Sequence, residues 1–437
     1  MRVLKFGGTS VGSAGNLATV RDIVARYAKE PLVVVVSAHS GVTDALLGLA
    51  RNAVAGGSAL EPLRERHREL LQALGMNPSI LEPLFAELHD LLRGLSLVRE
   101  LTPRSLDLVA SFGERLSVRG IAPYFRAGGI PATPVDAYDV GLRTDSRFTA
   151  ANADYRCFPA VRKLLGAVPG VPVVTGFIAK DANGDVTTLG RSGSDLTATL
   201  LGAALDADEV QIWTDVDGVM TADPRVVKGA RSVPVLSIAE ASELAYYGAK
   251  VIHPATMLPA VENRIPVRVL NTLNPENEGT TILAEAPPSG DPVKSIASKR
   301  GIILVTVAST RMLLQSGFMA KIFEVFARHD LSVDLVATGE VTVSVTVDTD
   351  RHLEEVAGEL AAFSSVTIER DMAQVCVVGH GIGQRHGVAA DVLGALKEAK
   401  IPVRLISHGG TRINISLLVD AKSADGAVRA LHGKFFG

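Results

Sequence analysis

Five consecutive aliphatic residues, Leu32-Val33-Val34-Val35-Val36, limit the fold more than any other stretch of the chain. A strand with no polar alternation has no solvent face, so it belongs in a parallel sheet covered by helices on both sides. Upstream, Leu17, Val20, Ile23, Val24 and Tyr27 recur at helical spacing, and the β-prone run Val3 to Phe6 precedes them. That is a βαβ unit. Val171 to Thr175, Glu209 to Trp213 and Ile265 to Leu270 continue the alternation, with scaffold helices from Leu60 to Ser96 broken at Gly75, Asn77-Pro78 and Pro83. The fold class expected is α/β: a three-layer αβα domain with a mainly parallel central sheet. At 437 residues there is room for about three domains.

Composition removes several functions. A formal charge of -3 supplies no basic field for nucleic acid or anionic lipid. The longest aliphatic run falls far short of the roughly 20 residues that span a bilayer, and no signal-peptide core opens the chain. Neither nucleic acid nor membrane is expected as a partner, and the expected location is cytoplasmic. Cys157 and Cys376 stand far apart without zinc or CxxC spacing, which reads as two reduced core thiols.

Two glycine-rich loops carry the chemistry. The first strand brings Lys5 into Gly7-Gly8-Thr9-Ser10-Val11-Gly12, and a helix follows at once. Glycines admit a ligand close to the backbone, and free N–H groups at a helix start favour an anion such as phosphate. In a Walker loop the lysine follows the second glycine, whereas Lys5 precedes both here. The alternative is an ordinary βα turn with an exposed lysine. The second loop, Gly190-Arg191-Ser192-Gly193-Ser194-Asp195, again joins a strand to a helix; it offers a guanidinium for a carboxylate, and a carboxylate for Mg²⁺ or a lysine. Taken alone, Asp195 reads as a plain helix N-cap, the commoner use of aspartate at a helix start.

Between and after these loops stand further candidates. Ser37-Ala38-His39-Ser40-Gly41-Val42-Thr43 leaves the C-terminal end of the aliphatic strand, where open α/β sheets place ligands, so Ser37 and Thr43 become substrate candidates. His39 is a possible base, although a single loop histidine is more often structural. Glu114, among small residues in a helix, needs a cationic partner if buried, either a substrate ammonium or a nearby arginine. Thr214-Asp215-Val216-Asp217-Gly218 resembles a calcium loop only in its first positions, because Met220 and Ala222 follow where ligands should be; a tight turn at a nucleotide is the reading adopted. Lys250 is a second lysine at a helix end.

Pro275, Gly279, Pro287-Pro288, Gly290 and Pro292 mark a linker placed at 286–300, after a first domain of 1–285. Beyond it, Val305 to Asp348 and Val375 to Asp420 each read strand, helix, strand, strand, with Gly317 and Gly387 at equivalent helix starts. This is an internal repeat of the α+β ferredoxin-like type, βαββαβ, placed at 301–370 and 371–437. Gly379-His380-Gly381-Ile382-Gly383 is rejected as a dinucleotide loop because Gln384 occupies the third glycine position.

Taken together, Lys5-Phe6-Gly7-Gly8-Thr9-Ser10-Val11, Ser37 to Thr43, Ser111-Phe112-Gly113-Glu114, Gly190 to Asp195, Trp213 to Gly218 and Gly248-Ala249-Lys250-Val251-Ile252-His253-Pro254 resemble, in order, the motifs of aspartate kinases in the amino acid kinase superfamily. The resemblance implies transfer of the ATP γ-phosphoryl group, with Mg²⁺, to the side-chain carboxylate of L-aspartate. It gives Lys5 and Asp195 the catalytic roles, and Ser37, Thr43, Glu114, Arg191 and Ser194 the substrate pocket. ATP falls to Lys5, Gly7, Gly8, Thr214, Asp215, Met220, Arg225 and Lys250, with Met220 standing where the family usually has an aromatic residue. No protein metal-ligand set is assigned. The C-terminal repeats resemble paired ACT domains, in which the second copy is commonly inserted into the first. They imply an amino-acid effector, lysine in preference to threonine, at Met312, Gly317, Phe318, Met319, Asp334, Gly339 and Glu340. The same resemblance implies a homodimer, or a dimer of dimers, through these domains. A catalytically silent amino-acid sensor and a sister kinase for another carboxylate are the competing readings.

Overall fold

A computed structural model of the chain describes residues 1–57, 59–247, 253–287, 290–314 and 316–437. They form two compact units. The first comprises Met1–Val219, Pro234–Ile238 and Val251–Ala286; the second comprises Met220–Val233, Ala239–Lys250 and Pro287–Gly437.

The first unit carries β1 (Arg2–Phe6), β2 (Leu32–Val36), β3 (Ala132–Val135), β4 (Val171–Thr175), β5 (Ile178–Lys180), β6 (Val186–Thr188), β7 (Glu209–Thr214), β8 (Val235–Ser237), β9 (Val267–Asn271) and β10 (Thr280–Leu283). Among the described residues the main sheet has eight strands in the order β3-β4-β2-β1-β7-β9-β10-β8, and every neighbouring pair is parallel except β9 with β10. β5 and β6 form a separate hairpin. Every residue of β2 is buried, as its aliphatic run requires. The helices are α1 (Ala14–Tyr27), α2 (Val42–Val54), α3 (Glu61–Ala73), α4 (Glu82–Val98), α5 (Pro103–Ala127), α6 (Phe158–Gly166), α7 (Gly193–Leu205), α8 (Ile238–Tyr246) and α9 (Leu258–Glu262). From Ala239 onward α8 belongs to the second unit. Ser13 caps α1, its hydroxyl accepting from the Asn16 N–H at 3.2 Å. The break expected at Pro83 falls where α4 begins: Pro83 sits in its first turn, where its missing N–H has no carbonyl to meet.

α1 and the second half of α5 bury Leu17, Val20, Ile23, Val118, Ile121 and Phe125 against β1, β2 and β4. The first half of α5 packs with α2, α3 and α4 in an adjoining core around Leu46, Leu88, Phe112 and Leu116. Because β1, β2 and β7 run parallel and adjacent, the loops that leave their C-terminal ends share one edge of the sheet.

The second unit is built on β11 (Ser295–Ala308), β12 (Val336–Thr338), β13 (Thr342–Val347), β14 (Ser365–Val378), β15 (Leu405–Ser407) and β16 (Asn414–Asp420), six strands among the described residues in the order β12-β13-β11-β14-β16-β15. Its helices are α10 (Phe318–Arg328), α11 (Leu353–Ala361), α12 (Val388–Glu398) and α13 (Ala424–Phe436). β11 and β14 pair antiparallel along nearly their whole length, with a register shift beside Gly301. Left-handed residues, Gly301 at φ 76° and Asp371 at φ 58°, lie near the middle of each. The halves after these points belong to different repeats: Ile303, Val305 and Val307 pack with α10 and α11, whereas Val375 and Val377 pack with α12 and α13. Ser295 to Arg300 pairs with the C-terminal half of β14, so the two repeats exchange strands. β11 therefore begins inside the 286–300 stretch expected as linker. The Pro/Gly composition ends at Pro292, and Ser295-Ile296-Ala297-Ser298 shows too little apolar weight to advertise a strand.

The glycines of 379–383 answer close packing inside this unit. A Cβ on Gly379 would stand 2.2 Å from the Pro292 carbonyl oxygen, and one on Gly383 would stand 2.1 Å from Cβ of Arg412. The α8 segment is stitched to the same sheet. Lys294 Nζ donates to Glu240 Oε2 at 3.0 Å, the His380 N–H donates to Glu240 Oε1 at 2.7 Å, and the Tyr247 and Ser416 hydroxyls are 2.7 Å apart.

Candidate active site

Lys5 sits at the centre of the sheet, in register with Val35 on one side and Ile212 on the other. Its Nζ lies 2.5 Å from Asp195 Oδ1, and both side chains are largely buried. The N-cap of α7 is Ser192, in a left-handed conformation, so Asp195 in the first turn is free of capping duty and points at the lysine. Geometry thus goes against the N-cap reading that the local sequence favoured. Gly176 makes room for this turn, since a Cβ there would fall 2.5 Å from Cβ of Ser194.

The loop after β1 presents a row of donors. The Gly7 N–H is already taken by the Trp213 carbonyl at 3.1 Å, which corrects the expectation that Gly7 donates to phosphate. It extends the β1–β7 ladder instead. The N–H groups of Gly8, Thr9 and Ser10 have no partner among the described residues. Gly8 is needed for another reason: a Cβ there would stand 2.9 Å from the Ala38 carbonyl oxygen. Ser10 Oγ is 2.8 Å from Thr272 Oγ1, which ties the loop to the end of β9.

Glu114 is 3% exposed in the middle of α5. Gly113 beside it lets the helix approach the loop after β2 so closely that a Cβ would lie 2.7 Å from Cβ of Ala38 and 3.8 Å from Thr43 Oγ1. The approach delivers the Ala38 N–H to Glu114 Oε1 at 3.0 Å. Oε2 has no hydrogen-bond partner among the described residues. Burial pushes the carboxyl up to about 8, against the opposing pull of the Ala38 N–H and the Lys5 charge. Among the described residues no arginine pairs with Glu114: neighbouring Arg115 pairs with Glu87 at 2.7 Å instead. Ser37 is half-buried, with its N–H donating to the Phe6 carbonyl, and Arg191 is exposed with no ion pair among the described residues.

On the expected nucleotide side, Thr214 ends β7 and Asp215 is exposed after it. Asp217 accepts from Asn271 Nδ2 at 2.8 Å, and Gly218 at φ 95° packs where a Cβ would meet Thr280 Oγ1 at 2.6 Å. These contacts brace the turn, and among the described residues no group of three or more acidic, histidine or cysteine side chains could hold a metal. Met220 and Arg225 belong to the second unit, where Arg225 closes on Asp223 at 2.6 Å and Ser295 Oγ donates to the Met220 carbonyl. Lys250 lies outside the described residues.

Of the expected effector residues, Met312 and Phe318 pack in the core under α10, Gly317 begins α10 at φ 84°, and Met319 is exposed. Gly339 and Glu340 lie in the β12–β13 hairpin turn, closed by Gly339 N–H to Thr342 O at 2.8 Å. Just outside these stretches, Ser309 N–H donates to Val341 O at 2.8 Å. Asp334 accepts the Tyr246 hydroxyl and leaves Oδ2 without a partner among the described residues; burial pushes its carboxyl above the usual range.

Sequence reading missed Asp107. Two turns before Glu114 on the same helix face, it accepts from the N–H groups of Thr149 and Thr188 at 2.9 Å and from Thr188 Oγ1 at 2.7 Å, anchoring the strand that leads to Arg191. A buried-face aspartate seven residues from a glutamate was the available signal.

Residues 1–271 match the amino acid kinase family, and residues 305–356 and 375–435 match the ACT domain. Aspartokinase 1 of Arabidopsis thaliana, a chloroplastic protein, is 40% identical over 455 residues, covering 99% of this chain and 80% of that one. The chain belongs to the aspartokinase family. Aspartokinase III of E. coli, solved in complex with lysine and aspartate in a T state, superposes with a TM-score of 0.81 at 35% identity, covering all of both chains. The same enzyme with aspartate and ADP, in an R state, gives 0.80 with the same identity and coverage. Among the described residues no helix is long and apolar enough to cross a membrane.

Proposed function

We propose that the chain transfers the γ-phosphoryl group of ATP to the side-chain carboxylate of L-aspartate, giving 4-phospho-L-aspartate, the first step towards lysine, threonine and methionine. The observation that carries this reading is the Lys5–Asp195 pair at the open edge of the sheet, beside the unpartnered N–H groups of Gly8, Thr9 and Ser10. Phosphoryl transfer to a carboxylate needs no general base; it needs alignment and charge neutralisation. In this reading Lys5 meets the transferring group, Asp195 holds Lys5 in place, and the free N–H groups take phosphate oxygens. Glu114 Oε2 receives the substrate ammonium, Arg191 its α-carboxylate, and Ser37, Thr43 and Ser194 line the pocket. Thr214 and Asp215, where β7 ends, are nucleotide contacts of this reading.

Mg²⁺ fits as the companion of the nucleotide. Among the described residues no cluster of three or more acidic, histidine or cysteine side chains could hold a metal alone, and Mg²⁺ commonly takes one or two carboxylates plus substrate phosphates. Asp195 is the carboxylate in place. Bound there, the ion would neutralise charge on the β and γ oxygens.

Lysine is the effector in this reading, its ammonium groups drawn to Asp334 and Glu340 and its carboxylate to the start of α10. The unpartnered Asp334 oxygen supports an acceptor for a cation. Assembly as a homodimer through the ACT sheet and a cytoplasmic location belong to the same proposal. ADP release measured with L-aspartate, L-glutamate and N-acetylglutamate, each with and without L-lysine and L-threonine, tests all of it. Turnover confined to aspartate and inhibited by lysine is expected; turnover on another acid, or none, rejects the assignment.

A further inference from the structure

His39 is a residue of the active-site edge to which no role has yet been given. It is 5% exposed, and its Nδ1 lies 2.6 Å from the Val11 carbonyl oxygen. A carbonyl only accepts, so Nδ1 carries the proton and the neutral tautomer is fixed. The ring packs edge-on against His67 at 5.4 Å between centroids, and His67 in turn packs against Phe85 at 5.6 Å. Burial and the neighbouring His67 push His39 down to about 3, so the imidazole stays neutral across the working range.

The bond has an unusual position. Residues 7–12 and residues 37–43 leave adjacent strands, and two backbone bonds join them near their bases, Ser37 N–H to Phe6 O at 3.1 Å and Ser40 N–H to Gly8 O at 3.0 Å. Both attach at or before Gly8. Gly8, Thr9 and Ser10, whose N–H groups stay free, lie between that attachment and Val11. Other bonds hold the first loop to the strands behind it, Ser10 Oγ to the Trp213 carbonyl at 3.3 Å and to Thr272 Oγ1 at 2.8 Å, and not to the second loop. Beyond Gly8 the His39 side chain makes the hydrogen bond between the two loops among the described residues, and two separated attachments fix their relative orientation where one permits a hinge.

We propose that His39 is a positioning residue: by donating from Nδ1 to the Val11 carbonyl it sets the spacing between the loop that takes the transferring phosphoryl group and the loop that takes the acceptor carboxylate. The inference rests on the proposed division of labour between these loops. Each loop binds its own ligand without the clamp, so its loss falls on turnover and spares binding. A misplacement of about 1 Å between reacting groups costs on the order of a hundredfold.

The test compares His39→Asn, His39→Gln and His39→Ala in the full chain, with steady-state kinetics for ATP and L-aspartate, thermal melts, and Lys5→Ala as a control. The amide nitrogen of asparagine takes the place of Nδ1, whereas that of glutamine takes the place of Nε2 and cannot reach Val11 in the same way. Expected are a kcat lowered by about 10- to 100-fold in the Gln and Ala variants, both KM values within about threefold, and recovery of most turnover in the Asn variant. If the Ala variant does not fold, the Asn and Gln pair carries the comparison. Equal losses in Asn and Gln, a loss confined to KM, or unchanged turnover in Gln overturns the proposal. If Lys5→Ala is inactive while the His39 variants all turn over normally, this inference alone fails; if Lys5→Ala also turns over normally, the site assignment beneath it fails.

Discussion

The buried carboxyl of Glu114 makes aspartate binding depend on pH in a calculable way. The group sits at about 8 in the unliganded protein, chiefly through burial, so at neutral pH it is mostly protonated. A carboxylic acid attracts an ammonium far less than a carboxylate does, so substrate binding must expel a proton, and apparent affinity scales with the ionised fraction. With a midpoint of about 8, the KM for aspartate should rise about fivefold from pH 8 to pH 7 and about tenfold more from pH 7 to pH 6. The assay is initial-rate ADP release at saturating ATP between about pH 6 and pH 8.5, below the titration of the substrate's own ammonium. Glu114→Gln should give a high aspartate KM that no longer changes with pH and a nearly unaltered ATP KM. The same substitution has a signed effect on stability. Because the folded value lies above the ordinary 4.5, the native chain holds a proton that the unfolded chain releases, and stability falls as pH rises towards 8. Glu114→Gln should therefore raise the melting temperature at pH 8 and leave it nearly unchanged at pH 4.5. A flat aspartate KM from pH 6 to pH 8, or the same slope in Glu114→Gln, refutes the reasoning.

Lys5→Ala should fold and lose about 10²- to 10³-fold in kcat, since it removes a preorganised charge; circular dichroism with single-turnover rates checks both halves. Gly113→Val places carbon where a Cβ already comes within 2.7 Å of Cβ of Ala38, and should destabilise by about 1–3 kcal/mol in urea melts while raising the aspartate KM more than the ATP KM. His39 and His67 are both held below the ordinary histidine value chiefly by burial, so the unfolded chain takes up protons that the native chain refuses and stability falls as pH drops below about 6.5, down to about 3 for His39; His67→Leu should flatten part of that acid limb in pH-dependent melts. Asp334→Asn should weaken lysine inhibition by about tenfold or more without changing uninhibited turnover, and an unchanged inhibition curve would move the effector elsewhere.

Some of this molecule was written in local pattern. The aliphatic run of β2 demanded a two-sided environment, and Lys5 before Gly7-Gly8 announced a strand, loop and helix start, because such signals depend only on neighbours along the chain. The repeat spacing of the last third likewise exposed two like units. What a residue meets across the fold was not legible. Asp195 reads locally as a cap until α7 is laid beside β1 and the carboxylate arrives at Lys5. Gly7 looks like a phosphate donor until the Trp213 carbonyl occupies its N–H. Glu114 gains its shifted ionisation only from burial in the packed fold, against the opposing pull of the Ala38 N–H. The boundary near 285 shows the same limit. Composition places a linker there, yet Met220–Val233 and Ala239–Lys250, earlier in sequence, belong to the second unit, held in part by the Lys294 and His380 bonds to Glu240. A cut after Glu285 would strip those segments of their partners. Sequence specifies propensity and periodicity over a few turns; which buried charge meets which, and which segments fold together, is decided by long-range packing that closes only in three dimensions.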